Sequence, residues 1–179
     1  MKKDKTSKII KNLKDLEKIA NAHKTLGNKI VCTIGSWDML HIGHMRYLHK
    51  AKKKGDILIV GVDSDRGIKV YKKNELRPII PESERMEMLA YQDCIDYVTL
   101  VDDVDNEGSW QYKLLKKIKP DIFVAVVGSY PEAQIEDISH LVDKVVQLPR
   151  QAQNTSSTKI IEKTVKIHVN ELLDSINKK

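Results

Sequence analysis

No stretch limits the architecture of this chain more than the run from Lys29 to Val62, where two apolar segments bracket one helical pattern. Lys29 to Ile34 reads as a short strand. From Ile42 to Lys54, Met45, Leu48 and Ala51 recur at helical spacing until Gly55 ends the helix. After Asp56, the run Ile57-Leu58-Ile59-Val60-Gly61-Val62 shows no polar alternation, the mark of a strand covered on both faces of a parallel sheet. Strand, helix and strand in that order form a βαβ unit with a right-handed crossover.

The alternation continues to the end of the chain. A basic loop, Arg66 to Arg77, leads to a helix opened by Pro81-Glu82-Ser83-Glu84, and Tyr97 to Val101 is a third strand. Leu114, Leu115 and Ile118 mark a helix stopped by Pro120, Ile122 to Val127 is a fourth strand, and Glu132 to His140 is helical. Val145 to Leu148 closes the strand series. From Ser157 a final amphipathic helix carries Ile160, Ile161, Val165, Val169 and Leu172 or Leu173. The pattern predicts an α/β, Rossmann-like, doubly wound parallel sheet of about five strands. One domain, 29–179, follows a basic N-terminal extension, 1–28. That extension is expected to be a disordered tip and then a helix bearing Ile9, Leu13, Leu16, Ala20 and His23 on one face.

Charge separates these two parts. Residues 1 to 29 hold nine lysines against Asp4, Asp15 and Glu17, which accounts for the whole net charge of +6. The remaining 22 basic and 22 acidic residues balance, so no strong field covers the body, and nucleic acid is an unlikely partner. No run reaches the apolar length of a membrane span, and the start leads into no signal-peptide core. A cytoplasmic location is the expectation. Cys32 and Cys94 have no metal-ligand spacing and read as ordinary buried thiols.

Chemistry concentrates where the first strand turns into the first helix of the unit, at Ile34-Gly35-Ser36-Trp37-Asp38-Met39-Leu40-His41-Ile42-Gly43-His44. A helix N-terminus offers unpaired N–H groups and the positive end of a dipole to anions. His41 and His44, three apart, fall on one face of the first turn, and Gly43 leaves room beside them. Gly35 allows close backbone approach to a nucleotide, and Asp38 is placed to cap the turn or orient a histidine. Doubly wound sheets bind ligands at the carboxyl ends of their strands, where this turn lies.

Three further segments follow strand ends at the same sheet edge. Lys69, Lys72 and Lys73 in the basic loop are suited to neutralising a triphosphate. Arg77-Pro78 precedes Arg85, whose guanidinium suits phosphate oxygens. Arg150 and the run Thr155-Ser156-Ser157-Thr158, just before a helix, make a second anion site. The sequence therefore predicts His41, His44, Lys69, Lys72 and Arg85 as catalytic. Ile34, Gly35, Ser36, Trp37, Asp38, Gly43, Arg150, Thr155, Ser156, Ser157 and Thr158 are predicted to bind nucleotide.

Over about residues 29 to 165 the chain resembles the nucleotidyltransferases of the cytidylyltransferase-like superfamily, with the nearest pattern in the branch of heptose-phosphate adenylyltransferase and glycerol-3-phosphate cytidylyltransferase. Gly35-Ser36-Trp37-Asp38-Met39-Leu40-His41-Ile42-Gly43-His44 matches the branch's Gly-x-Phe-Asp-x-Leu-His-x-Gly-His, Trp37 taking the aromatic place. Arg77-Pro78, Glu84-Arg85 and Thr155-Ser156-Ser157-Thr158 match its later segments. The resemblance implies transfer of AMP or CMP from ATP or CTP to a small phosphorylated acceptor, a sugar or polyol phosphate. It also implies Mg²⁺ travelling with the nucleotide and a homodimer. One stretch departs from the pattern: relatives carry lysine and aspartate after the fourth strand, where this chain reads Val124-Ala125-Val126-Val127-Gly128-Ser129-Tyr130. A nucleotide-binding regulator of the same fold, altered in catalysis, is the alternative reading of that departure.

Overall fold

The structure, a computed structural model, describes residues 4–177 and side chains as far as residue 173. Five parallel strands are ordered β3-β2-β1-β4-β5: β1 Ile30–Gly35, β2 Ile57–Asp63, β3 Tyr97–Val101, β4 Ile122–Val126 and β5 Lys144–Leu148. The helices are α1 Leu13–Thr25, α2 Ile42–Lys52, α3 Asp65–Lys72, α4 Glu82–Ala90, α5 Lys113–Ile118, α6 Glu132–Ser139 and α7 Ser157–Asn177. This is the expected doubly wound α/β fold.

The unbroken apolar strands are explained by two cores. Successive strand residues point to opposite faces, so Val31, Leu58, Val60 and Val62 pack with Leu48 and Ala51 of α2 and Leu89 of α4. Ile30, Cys32 and Ile59 face the other way, onto Leu16 and Ala20 of α1 and Leu114 and Leu115 of α5. Both cysteines are buried free thiols. Among the described residues, no helix is long and apolar enough to cross a membrane.

Two local expectations are corrected. Ile9 is not on the N-terminal helix, because the Asn12 side chain accepts from Lys14 N and starts α1 later. The preceding residues form a 3₁₀ turn, Lys5–Lys8, and Ile10 N donates to Val98 O, so the segment lies along the outer edge of β3. From Asp4 onward the segment expected to be a disordered tip is ordered, and residues 1–3 of it lie outside the described residues. The predicted basic loop contains α3: Ser64 Oγ caps it by accepting from Gly67 N at 2.9 Å, and Ile68 anchors it. At the other end of the chain α7 leaves Val165 and Val169 about half exposed.

The order of strands creates the site. The direction in which strands are added reverses across β1, with β2 and β3 on one side and β4 and β5 on the other, so the carboxyl ends of β1 and β4 flank the switch point. β1 pairs with β2 through Gly35 but with β4 only at Val31 and Cys32. The strands part beyond that point, and buried carbonyls there need other donors. Two tyrosines supply them: Tyr130 donates to Ile34 O and Tyr47 to Val124 O, each at 2.7 Å.

Candidate active site

His41 is the N-cap of α2, and its ring lies 4.0 Å from that of His44, centroid to centroid, with planes 25° apart. Gly43 N donates to His41 Nδ1 at 3.1 Å, and His41 N donates to His44 Nδ1 at 3.4 Å. Each Nδ1 is therefore an acceptor, which fixes the neutral tautomer with its proton on Nε2. Burial lowers both pKa values, that of His44 to about 4, with His41 as a further cause there. Near neutral pH the two rings are uncharged and each presents one N–H. A Cβ on Gly43 would come within 2.8 Å of the His41 ring and 3.1 Å of Ala152, so this packing requires glycine.

The turn leading to the histidines is bent and pinned. Trp37 and Met39 have φ of 51° and 52°, left-handed values that are costly for residues with side chains. Trp37 is buried and its Nε1 donates to Gly61 O at 2.8 Å. Asp38, also buried, accepts from Arg77 Nη1 at 3.0 Å and from the backbone N–H groups of Ile79 and Ile80. Its carbonyl accepts from Ser157 Oγ at 2.9 Å. Asp38 thus ties the histidine turn to the Arg77 loop and to the start of α7.

Arg85 departs from the expectation of a guanidinium presented to phosphate. Its side chain is completely buried. It donates to Ser36 O, Asp63 O and Ile80 O and pairs with the Asp65 carboxylate at 2.6 Å. Those partners end β1, β2 and the Arg77 loop, and they occupy its donors. Arg85 holds the loops that form the edge and does not itself face the cleft. Trp37 and Asp38 likewise are engaged within the protein.

The remaining predicted residues stay near the edge with fewer ties. Among the described residues no hydrogen bond or ion pair engages the Lys69 ammonium on α3 or the Arg150 guanidinium after β5. Lys72 lies only 6.0 Å above the Tyr71 ring. The hydroxyl run divides: Ser156 Oγ caps α7 by accepting from Lys159 N, Ser157 holds Asp38, and the hydroxyls of Thr155 and Thr158 have no partner among the described residues. The loop carrying them is held over α2 by Arg46, which donates to Gln151 O at 3.3 Å. Gly35 closes β1 against the Trp37 ring, and the Ile34 carbonyl is taken by Tyr130. An open, mostly apolar groove of about 420 Å³ runs from His41 between Met45, Met88 and Tyr91.

Sequence reasoning missed Tyr47 and Tyr130, which close the parted strands, and Asp63 at the end of β2. Asp63 is 4% exposed; Oδ2 accepts from Tyr71 at 2.9 Å, while Oδ1 has no hydrogen bond among the described residues. The signal was a carboxylate at the close of a fully apolar strand, which the sequence shows and a turn explains too easily. Among the described residues no group of three or more His, Cys, Asp or Glu is arranged to hold a metal.

Comparison with known proteins places the chain in a family. The cytidylyltransferase-like family profile matches residues 32–163, and the chain belongs to that family of nucleotidyltransferases. It is 38% identical over 163 residues to the bifunctional protein HldE of Geobacter metallireducens and 37% identical over 163 residues to that of Nitratiruptor sp.. Those alignments cover 90% and 91% of this chain but 32% and 33% of the relatives, so the chain spans about a third of their length. A lipopolysaccharide core biosynthesis protein from Thermoplasma volcanium superposes with a TM-score of 0.58 at 29% identity, covering 70% of this chain and all of that one. A pantoate-beta-alanine ligase from Francisella tularensis shares the fold at 18% identity and a TM-score of 0.58, covering 85% of this chain and 74% of its own.

Proposed function

We propose that the chain transfers AMP or CMP from ATP or CTP to the phosphate of a small sugar or polyol phosphate, releasing pyrophosphate. The observation that carries this reading is the stacked pair His41 and His44 at the N-terminus of α2, each with an Nε2 proton that no described residue accepts. An acceptor phosphate oxygen attacks the α-phosphorus, a new P–O bond forms, and the bond to the β-phosphate oxygen breaks. A phosphate dianion needs no covalent enzyme intermediate, so catalysis reduces to positioning and charge stabilisation.

In this reading His41 and His44 donate to the α- and β-phosphates as charge develops there, aided by the free N–H groups of the α2 start. Being neutral, they lose little on desolvation and act as fixed donors. Lys69, Lys72 and Arg150 neutralise the leaving pyrophosphate, and Thr155 and Thr158 give it hydroxyl donors. Asp38, Arg77 and Arg85 are positioning residues that keep three loops in register. The Asp38 carboxylate is fully engaged, so Mg²⁺ would be held by the triphosphate itself, where it supplies charge neutralisation. A cytoplasmic homodimer belongs to the same proposal, with Val165 and Val169 of α7 inside the contact; a monomer by light scattering removes that part.

The test is pyrophosphate release measured with ATP and CTP against glycerol 3-phosphate and a set of sugar 1-phosphates. Release with one nucleotide and one acceptor class is expected. Nucleotide binding without release for any acceptor rejects the transfer reading and favours the regulator.

A further inference from the structure

The buried side-chain atoms that lack a hydrogen bond among the described residues are not scattered. Asp63 Oδ1, Thr99 Oγ1 and Asp103 Oδ1 belong to the carboxyl halves of neighbouring strands β2 and β3 or to the loop after β3. Register pairs Gly61 with Thr99 and Asp63 with Val101, so Asp63 and Thr99 share one face of the sheet. A buried carboxylate oxygen without a hydrogen bond is costly, and each such atom in a folded protein calls for an explanation. The nearby cations offset the Asp63 charge only in part and leave Oδ1 without a hydrogen bond: Arg85 and Lys72 both act to lower its pKa, but Arg85 meets Asp63 only at the backbone carbonyl and pairs with Asp65, and Lys72 is exposed. Lys113 lies 4.0 Å from Asp103 Oδ1, an ion pair without a hydrogen bond, and Arg66 pairs with Asp102. Asp103 adds a second negative charge near Asp63 rather than relieving the first.

Position makes this carboxylate relevant to the reaction. Asp63 ends the strand beside β1, next to the histidine turn, and its charge helps to raise the pKa of Tyr130 at the parted β1 and β4 ends, after burial as the main cause. Its other oxygen holds the Tyr71 hydroxyl, and the Tyr71 ring packs on Trp110 with centroids 5.3 Å apart. Aromatic faces beside a carboxylate suit either the C–H face and hydroxyls of a polyol or an ammonium group.

We infer that Asp63 reads the acceptor: its free Oδ1 accepts a hydrogen bond from a hydroxyl or ammonium group on the end of the acceptor away from the phosphate. The inference rests on the nucleotidyl-transfer reading and names a specificity-determining residue for it. Oδ1 is closed to solvent, so the acceptor reaches it with the Tyr71 and Trp110 rings displaced. Trp110 emission then changes on acceptor binding. The other tryptophan, Trp37, is buried and bonded to Gly61, and serves as a constant background.

The experiment compares the full chain with Asp63→Ala, which removes the acceptor, using glycerol 3-phosphate, phosphoethanolamine and, as a probe without donors, propyl phosphate. In the variant the KM for the probe that the enzyme uses best should rise at least about tenfold, the strength of one hydrogen bond to a charged group. The KM for nucleotide should stay within about twofold, and propyl phosphate should lose nothing. Preference for glycerol 3-phosphate assigns a hydroxyl, and preference for phosphoethanolamine an ammonium. Acceptor-dependent change in Trp110 emission, absent in Trp110→Phe, completes the expected result. Equal changes in both KM values, or an acceptor KM that does not move, overturn the assignment of Asp63 while leaving nucleotidyl transfer intact. Pyrophosphate release from no acceptor by the unaltered chain overturns both.

Discussion

The turn after β1 and the end of β2 lie side by side on one sheet edge and treat their polar groups in opposite ways. Around His41 and His44 nearly every donor and acceptor has found a protein partner, and what is left over is two N–H groups. Around Asp63 the protein leaves buried acceptors unfilled. A group that must meet the same charge in every cycle is best fixed beforehand, since then no reorganisation accompanies the reaction. A group that must distinguish one small molecule from another gains by being unsatisfied until the right donor arrives.

The largest effect should come from breaking the first region. His41→Asn keeps an acceptor for the N-cap bond but has no donor at the Nε2 position, so turnover should fall at least about a hundredfold with the melting temperature nearly unchanged. His41→Ala should lose the same activity and also about 1 kcal/mol of stability with its cap. Pyrophosphate release and thermal melts measured on both variants separate the two roles. If His41→Asn retains its rate, the histidine turn is a structural cap and the comparison collapses.

The second region should respond in stability with the opposite sign. Burial, the main cause, lifts the Asp63 pKa from 3.8 to about 6. The folded state therefore disfavours the charged carboxylate, a cost fully present above about pH 6. Between pH 6 and 4 the folded carboxyl takes up its proton before the unfolded one does, and the cost fades. Asp63→Asn should stabilise the protein at pH 8 by roughly 1–2 kcal/mol, less than the full two-unit displacement because the amide also needs partners. By about pH 4 the difference should have gone. Denaturant melts at the two pH values check this, and a variant less stable at pH 8 would place Asp63 with the braced groups instead.

Why one region was legible in the sequence and the other was not follows from how far apart the interacting residues lie. Strands such as Ile57 to Val62 announce themselves because both faces are buried, and the histidines act within one helical turn. α3 stayed hidden because Arg66, Lys69, Lys72 and Gly67 surround its one fully buried large side chain, Ile68, leaving no apolar stripe. Arg85 misled for another reason. A guanidinium near a phosphate site is read as a phosphate ligand unless one knows that carbonyls from residues 36, 63 and 80 converge on it. Asp63 is the same problem in reverse, since lacking a partner is a property of the assembled fold.

The smallest effects should divide the hydroxyl run along the same line. Ser157 donates to Asp38 O, one bond in the brace of the histidine turn, so Ser157→Ala should cost about 1 kcal/mol in stability. Thr158 is exposed and its hydroxyl has no partner among the described residues, so Thr158→Ala should leave the melting temperature alone. If Thr158 meets a phosphate oxygen, its loss appears instead in the KM for nucleotide, raised about threefold to tenfold. Melting curves and nucleotide KM values for the two variants then give crossed results, stability for Ser157 and binding for Thr158. A Thr158→Ala protein with an unchanged nucleotide KM would confine the phosphate contacts to α2 and the basic side chains.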